Sequence, residues 1–277
     1  MTVFVVAGVA GALIGLSLGA LGGGGSILAV PVLVYLLGQS PAQATTGSLV
    51  VVGVTSAIGA ITAYRAGRVM LGRGVAFGLV ALGGAVLGAR ASASVPEPVL
   101  LAAFAVLMLV VGSLMAVRQV RERRHSGAAE EVGPGEGFEG PIVAFAPTFV
   151  CQCPRALKVV VTATGVGLLT GFLGVGGGFL VVPALLLALA IPMEYAVGTS
   201  LVVITITSAV ALVVRAGSGI QPDWGLVLLL TVASAAGGFL GARLALRTDT
   251  RRLSGAFTVL VLAVAGYTSL QALPGLT

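Results

Sequence analysis

The sequence predicts an all-α integral membrane protein built from two internal repeats, and three features carry that prediction. Of 277 residues, 57% are hydrophobic and 9% charged, whereas a soluble domain of this size needs about a quarter charged residues to cover its surface. Uncharged runs recur along nearly the whole chain, long enough to cross a hydrocarbon core of roughly 30 Å, which takes about twenty helical residues. The third feature is a duplication: Gly15, Gly19, Gly22, Gly24, Gly25 and Pro31 recur 152 positions later as Gly167, Gly171, Gly174, Gly176, Gly177 and Pro183. The register continues through Ser48-Leu49-Val50-Val51 and Ser200-Leu201-Val202-Val203, and Ser56 matches Ser208 at the same offset. Arg65-Ala66-Gly67 matches Arg215-Ala216-Gly217 after a two-residue deletion, and Gly88-Ala89-Arg90 matches Gly241-Ala242-Arg243. Internal duplication is common among secondary transporters, so the repeat itself points toward transport.

Taken in order, the first repeat (1–117) holds helical segments at 3–21, 26–37, 42–64, 74–91 and 98–117. The second (157–277) holds them at 157–173, 178–190, 196–214, 224–242 and 253–273. Each is apolar around its full circumference, the mark of a spanning or fully buried helix. The first run lacks the basic flank of a signal peptide and outlasts a signal-peptide core, so it is expected in the mature protein. Segment 26–37 has about a dozen apolar residues, too short at 1.5 Å each to cross the core, and is expected to be a half-helix. The glycines before it, Gly22 to Gly25, are the poorest helix formers available. Their counterpart, Gly174-Val175-Gly176-Gly177-Gly178, is nearly as poor, so each repeat is expected to be a re-entrant or half-helix pair plus three transmembrane helices. Segments 74–91 and 224–242 end near Arg90 and Arg243, which can snorkel to the interface as anchors. Between the repeats, 118–156 opens with Arg118, Arg121, Glu122, Arg123 and Arg124 and runs through an acidic, glycine-rich stretch to Glu139. It reads as a soluble linker.

Arginine placement sets the orientation. Arg65, Arg68 and Arg73, then Arg118 to Arg124, then Arg243, Arg247, Arg251 and Arg252 mark three regions that the positive-inside rule puts in the cytoplasm, the linker among them. The repeats are expected to be inverted, the first two segments returning the chain to its starting side. If 3–37 is instead one broken crossing, they are parallel and the four-arginine loop lies outside.

A helix broken at membrane depth leaves backbone N–H groups that hydrocarbon penalises by several kcal/mol each, so the break needs a compensating partner. Two half-helix N-termini, near Ser26 and near Gly178, carry free donors and partial positive charge and together make a site for a small anion. The candidate binding residues are Gly24, Gly25, Ser26, Thr46 and Ser48 in the first repeat and Gly176, Gly177, Gly178, Thr199 and Ser200 in the second. Helix capping and Ser/Thr packing explain any single hydroxyl equally well. Gly11, Gly15 and Gly19 are read as small residues for close helix packing.

Several classes are excluded. The net charge of +6 comes from residues in short connections, without a basic helix face, so nucleic acid is not a partner. The two cysteines, Cys151 and Cys153, cannot make a disulfide framework, and with His125 alone in the linker no structural zinc site can be completed. The apolar segments carry no His and no nucleophile–base pair for an enzyme. No cofactor is called for. Glu97, Glu194 and Asp223 lie at loop edges, so coupling to protons or sodium stays open. The partners expected are a small anion and the lipid bilayer, with room for a homodimer.

GLSLGALGGGGSILAVP (15–31) and GLLTGFLGVGGGFLVVP (167–183), written one beneath the other, resemble the glycine-rich signature of the TauE/SafE sulfite exporter family. AVGTSLVVITITSA, Ala196 to Ala209, is similarly characteristic. The resemblance covers the chain outside the linker. It implies a multi-pass permease of a prokaryotic inner membrane that moves sulfite, thiosulfate, sulfoacetate or related organosulfur anions. Cys151-Gln152-Cys153-Pro154 departs from that pattern, and nothing is carried over to it. A passive anion channel and a membrane enzyme of sulfur metabolism remain the alternatives.

Overall fold

The computed structural model describes residues 2–92, 103, 106–117, 153–173, 178–187, 189, 191–216 and 222–272. They form α1 (Thr2–Leu21), α2 (Gly24–Pro31), α3 (Pro41–Arg65), α4 (Leu71–Ser92) and α5 (Val106–Val117), then α6 (Cys153–Leu173), α7 (Gly178–Leu187), α8 (Met193–Ala216), α9 (Trp224–Arg247) and α10 (Thr250–Ala272). No strand occurs among the described residues. Stretches of α1, α3, α4, α8 and α9 are long and apolar enough to cross a membrane. Large apolar side chains are exposed all over the outside, among them Phe4, Leu79, Val213 and Leu240, while serine and threonine hydroxyls are buried inside. Lipid, not water, is the solvent such a surface fits.

Local chemistry sets where the helices begin, often earlier than hydrophobicity alone predicts. Ser40 caps α3, accepting from the Gln43 N–H while the Gln43 side chain returns to the Ser40 N–H, with Pro41 in the first turn. Asp223 caps α9 by accepting from the N–H groups of Gly225 and Leu226. The α6 helix opens at Cys153 and so takes residues 153–156 from the expected linker. Cys151 and 118–152 lie outside the described residues.

The half-helices carry a feature that periodicity does not reveal. After Pro31 the chain widens into a π-helical turn, Val32–Leu36, with the Leu37 N–H reaching Val32 O at 3.1 Å. After Pro183 the Leu189 N–H likewise reaches five residues back to Ala184 O. Each wide contact lies on the C-terminal side of a proline, which itself lacks an N–H for the preceding turn.

Helix directions follow from residue contacts. The α1 and α9 helices run the same way: Gly11 lies on Leu230 and Ala233, Gly15 on Ser234 and Gly19 on Gly238. The α4 and α6 helices match this, with Ala81 on Gly167 and Ala85 on Gly171. A Cβ at Gly15 would stand 2.6 Å from Ser234 Cα, and one at Gly167 would stand 2.7 Å from the Ala81 carbonyl carbon. Gly11, Gly15, Gly19 and Gly167 let the facing backbones approach closely. The α3 helix runs with α9 (Gly47 by Val227, Thr55 by Gly238), and α8 with α4 (Thr199 by Gly74, Ile206 by Gly78). The two central helices, α3 and α8, are antiparallel in a register that sets Gly53 on Ser208, Gly59 on Leu201 and Ala63 on Gly198. Thus α1, α3 and α9 point one way and α4, α6 and α8 the other.

Candidate functional site

The chain breaks between α1 and α2 because Gly22 takes φ +80°, a left-handed backbone that costs a side-chain-bearing residue roughly 1–2 kcal/mol. The α2 helix then folds back along α1. No side chain caps it, so its first N–H groups keep the donor capacity and partial positive charge of a helix start. Four residues converge at this turn and at the start of α7. A Cβ at Gly22 would lie 2.6 Å from Ser200 Oγ, and a Cβ at Gly178 would lie 2.7 Å from Ser26 Oγ and 2.9 Å from Ile204 Cδ1. Ser26 and Ser200 are 2% and 0% exposed. Since Ile204 is at the middle of α8, the starts of α2 and α7 meet deep in the bundle.

The other expected site residues separate. Gly24 faces Leu260 and Phe257 of α10, and Gly25 presses on the α1 backbone, where its Cβ would stand 2.5 Å from Leu18 N. A side chain at position 25 therefore has no room against α1. Gly176 and Gly177 lie outside the described residues. Ser48 is buried, but the α3–α8 register puts it about a dozen residues, close to 20 Å, from the level of Ser200, so the two serines cannot hold one small ion together. Thr199 accepts from the Met70 N–H at 3.1 Å and so fastens α8 to the start of α4. Thr46 is buried near the start of α3. Its neighbour Thr45 accepts from Arg215 Nη1 at 2.9 Å, which puts a cation over the α3–α8 seam on that face.

The serine protons at the break are also engaged. Ser26 donates to Gly23 O at 2.7 Å, Ser200 to Val197 O at 2.8 Å and Ser48 to Thr45 O at 2.9 Å. A ligand competes with these bonds. Gly22, which is not among the ten candidate residues, stands at the break, and its place in the duplicated glycine pattern is the sequence signal for it. Ser56 and Ser208 carry the same signal, one position in each repeat.

On the opposite face, a cleft is lined by Arg68, Glu194, Val197, Gly198, Ala242 and Thr248, among others. It joins the α3–α4 and α9–α10 connections, so two of the arginine-bearing loops share one side. Arg243 lies outside the bundle with its guanidinium 4.3 Å from the Phe239 ring centre, in keeping with an anchoring role. Among the described residues the charged side chains lie in connections or in the first or last two turns of their helices. No cluster of three potential metal ligands occurs among them.

A family model described as sulfite exporter TauE/SafE matches residues 7–268. A probable membrane transporter protein of Xylella fastidiosa (strain 9a5c) is 33% identical over 260 residues, which is 93% of this chain and 91% of the relative. The probable membrane transporter protein YunE of Bacillus subtilis (strain 168) is 28% identical over 261 residues, 90% of this chain and 88% of its own. No solved structure matches the chain.

Proposed function

The chain belongs to the sulfite exporter TauE/SafE family, and on that premise we propose that it carries a small sulfur-containing anion, such as sulfite, thiosulfate or an organosulfonate, as a secondary transporter. It is a multi-pass protein of the cell membrane and a transporter, not an enzyme. The observation that carries the anion reading is the buried meeting of the starts of α2 and α7, where Gly22, Ser26, Gly178 and Ser200 converge. A helix start attracts an anion by about 0.3–1 kcal/mol when exposed and up to roughly 2 kcal/mol when partly buried. Two starts and two hydroxyls that rotate off their carbonyls supply modest affinity, which suits a carrier that must release its cargo.

The same reading makes the α1–α5 and α6–α10 units inverted repeats. The equivalent pairs α1/α6, α3/α8 and α4/α9 each hold one member in either direction set, which supports inversion over a parallel arrangement. The arginine-bearing face is cytoplasmic on the positive-inside rule. A carrier is favoured over an open channel by the α3–α8 seam, which is shut where a Cβ at Gly53 would stand 3.2 Å from Ser208 Cβ.

Purified protein in proteoliposomes, loaded in turn with sulfite, thiosulfate, sulfate and sulfoacetate with and without a pH gradient, tests the proposal. Saturable flux of at least one sulfur anion is expected. Flux confined to anions without sulfur would sink the substrate class, and rates of channel throughput would sink the carrier.

A further inference from the structure

Five hydroxyls on the two central helices are satisfied by their own backbone. Thr62 donates to Ile58 O at 2.9 Å, Thr205 to Leu201 O at 2.7 Å and Thr207 to Ile204 O at 3.1 Å, and Ser48 and Ser200 do the same. Thr55, Ser56 and Ser208 differ, and of these only Ser56 and Ser208 are equivalents in the two repeats, since Thr207, the equivalent of Thr55, is satisfied. The two serines are 0% and 2% exposed, and among the described residues neither hydroxyl has a hydrogen-bond partner. Each is the repeat-equivalent of the other, and each stands one turn along its helix from an equivalent pair of buried apolar residues, Val52 and Ile204. Ile204 is the residue against which Gly178 closes, so Ser208 lies one turn beyond the candidate anion site.

The α3–α8 register sets Ser208 on Gly53, three residues from Ser56, so the two hydroxyls are about 4.5 Å apart along the seam. That spacing lets both donate to a single small oxyanion if the helices part. In the closed seam they donate to nothing, and a buried hydroxyl stripped of water without a partner destabilises the state that buries it. Helix geometry offers the usual escape to a carbonyl one turn back, and five neighbouring hydroxyls use it.

We infer that Ser56 and Ser208 form a second, transient oxyanion station on the α3–α8 seam, between the levels of Val52 and Ile204, which the permeating anion meets when the seam opens. The inference rests on the anion-carrier reading. The two serines donate their protons to oxygens of the moving ion, which replace part of its water shell, and release it when Val52 and Ile204 close again. The unsatisfied pair also biases the protein away from the closed seam, so the station lowers the barrier to opening even before the anion arrives.

The test compares the parent protein with Ser56→Ala, Ser208→Ala and the double variant. Exchange of sulfite, thiosulfate, phosphate and nitrate is followed in proteoliposomes at matched protein content, together with the thermal unfolding midpoint in detergent. The double variant is expected to lose at least tenfold in maximal exchange with little change in half-saturation, while its midpoint equals or exceeds that of the parent. Ser56→Cys and Ser208→Cys, of similar size but weaker donors, should fall between if alanine disturbs assembly. Unchanged maximal exchange, or a lowered midpoint in both alanine and cysteine variants, overturns the station. A parent that moves only phosphate or nitrate overturns the sulfur substrate and not the station, whose variants must then slow that ion equally. A parent that moves no anion overturns both.

Discussion

Gly22 is the residue at which the break is most exposed to substitution. Its φ of +80° disfavours any side chain, and a Cβ there would also meet Val182 and Val197 at 3.1 Å. Gly22→Ala is expected to destabilise the protein by about 2 kcal/mol or more, through backbone strain and overpacking together. Gly8→Ala, where a Cβ meets nothing within 4 Å, should leave the unfolding midpoint in detergent within a degree or so of the parent. An equal response of the two positions would contradict the account of the break. Ser200→Ala removes a hydroxyl beside Gly22 and should weaken anion binding by about 1 kcal/mol, close to fivefold. Ser48 is too far away to share that ion, so the effects of Ser48→Ala and Ser200→Ala on affinity should add in a double-mutant cycle. A coupling above about 0.5 kcal/mol would place both serines in one shell. Gly25→Val, in contrast, should fail at folding, because its Cβ runs into the α1 backbone whether or not an anion is bound.

Among elements, the paired crossings of α1 with α9 and of α4 with α6 hold the bundle most tightly. Gly15→Ala and Gly167→Ala push a methyl group into the backbone of the facing helix and should each cost about 1–3 kcal/mol or more. Gly165→Ala, one residue pair away in open space, serves as the neutral comparison. Well-inserted protein with parental midpoints for the first two would refute the backbone contact. The existence of these helices was legible because hydrocarbon allows only long apolar runs, and their ends were legible to within a few residues. Their partners were not legible. A helix that is apolar all round has no stripe to say which neighbour it takes, so nothing in 3–21 names α9. The π-helical turn after Pro31 was hidden for a different reason: the proline was visible, but its effect depends on which carbonyl the widened backbone then reaches. Of the candidate site, the glycine breaks could be read, since a broken helix in lipid demands an explanation. Which hydroxyl goes unpartnered could not, because Ser48 and Ser56 look alike in sequence and differ only in the carbonyl each finds.

At the scale of the whole molecule, orientation is the first quantity to measure. If the arginine-bearing face is cytoplasmic, as proposed, an impermeant thiol reagent should label Cys151 and Cys153 only after the cells are permeabilised. Labelling in intact cells would reverse the topology. Replacing both cysteines by serine should leave anion flux within about twofold of the parent, a margin within ordinary surface-substitution effects. The crossed pairing of the halves also sets the order of assembly during synthesis. Gly15 on α1 packs against Ser234 on α9, which follows it by 219 residues (234 − 15). At about 5–20 residues per second, α1 waits roughly 10–45 s for its partner to leave the ribosome. Through that interval its glycine face is closed by nothing the chain has yet made. Early helices must be sheltered in the insertion machinery or held loosely by lipid, and quality control has its longest view of them there. Expressed alone, residues 1–117 should be degraded within minutes, and they should be rescued when 118–277 is supplied from a second message.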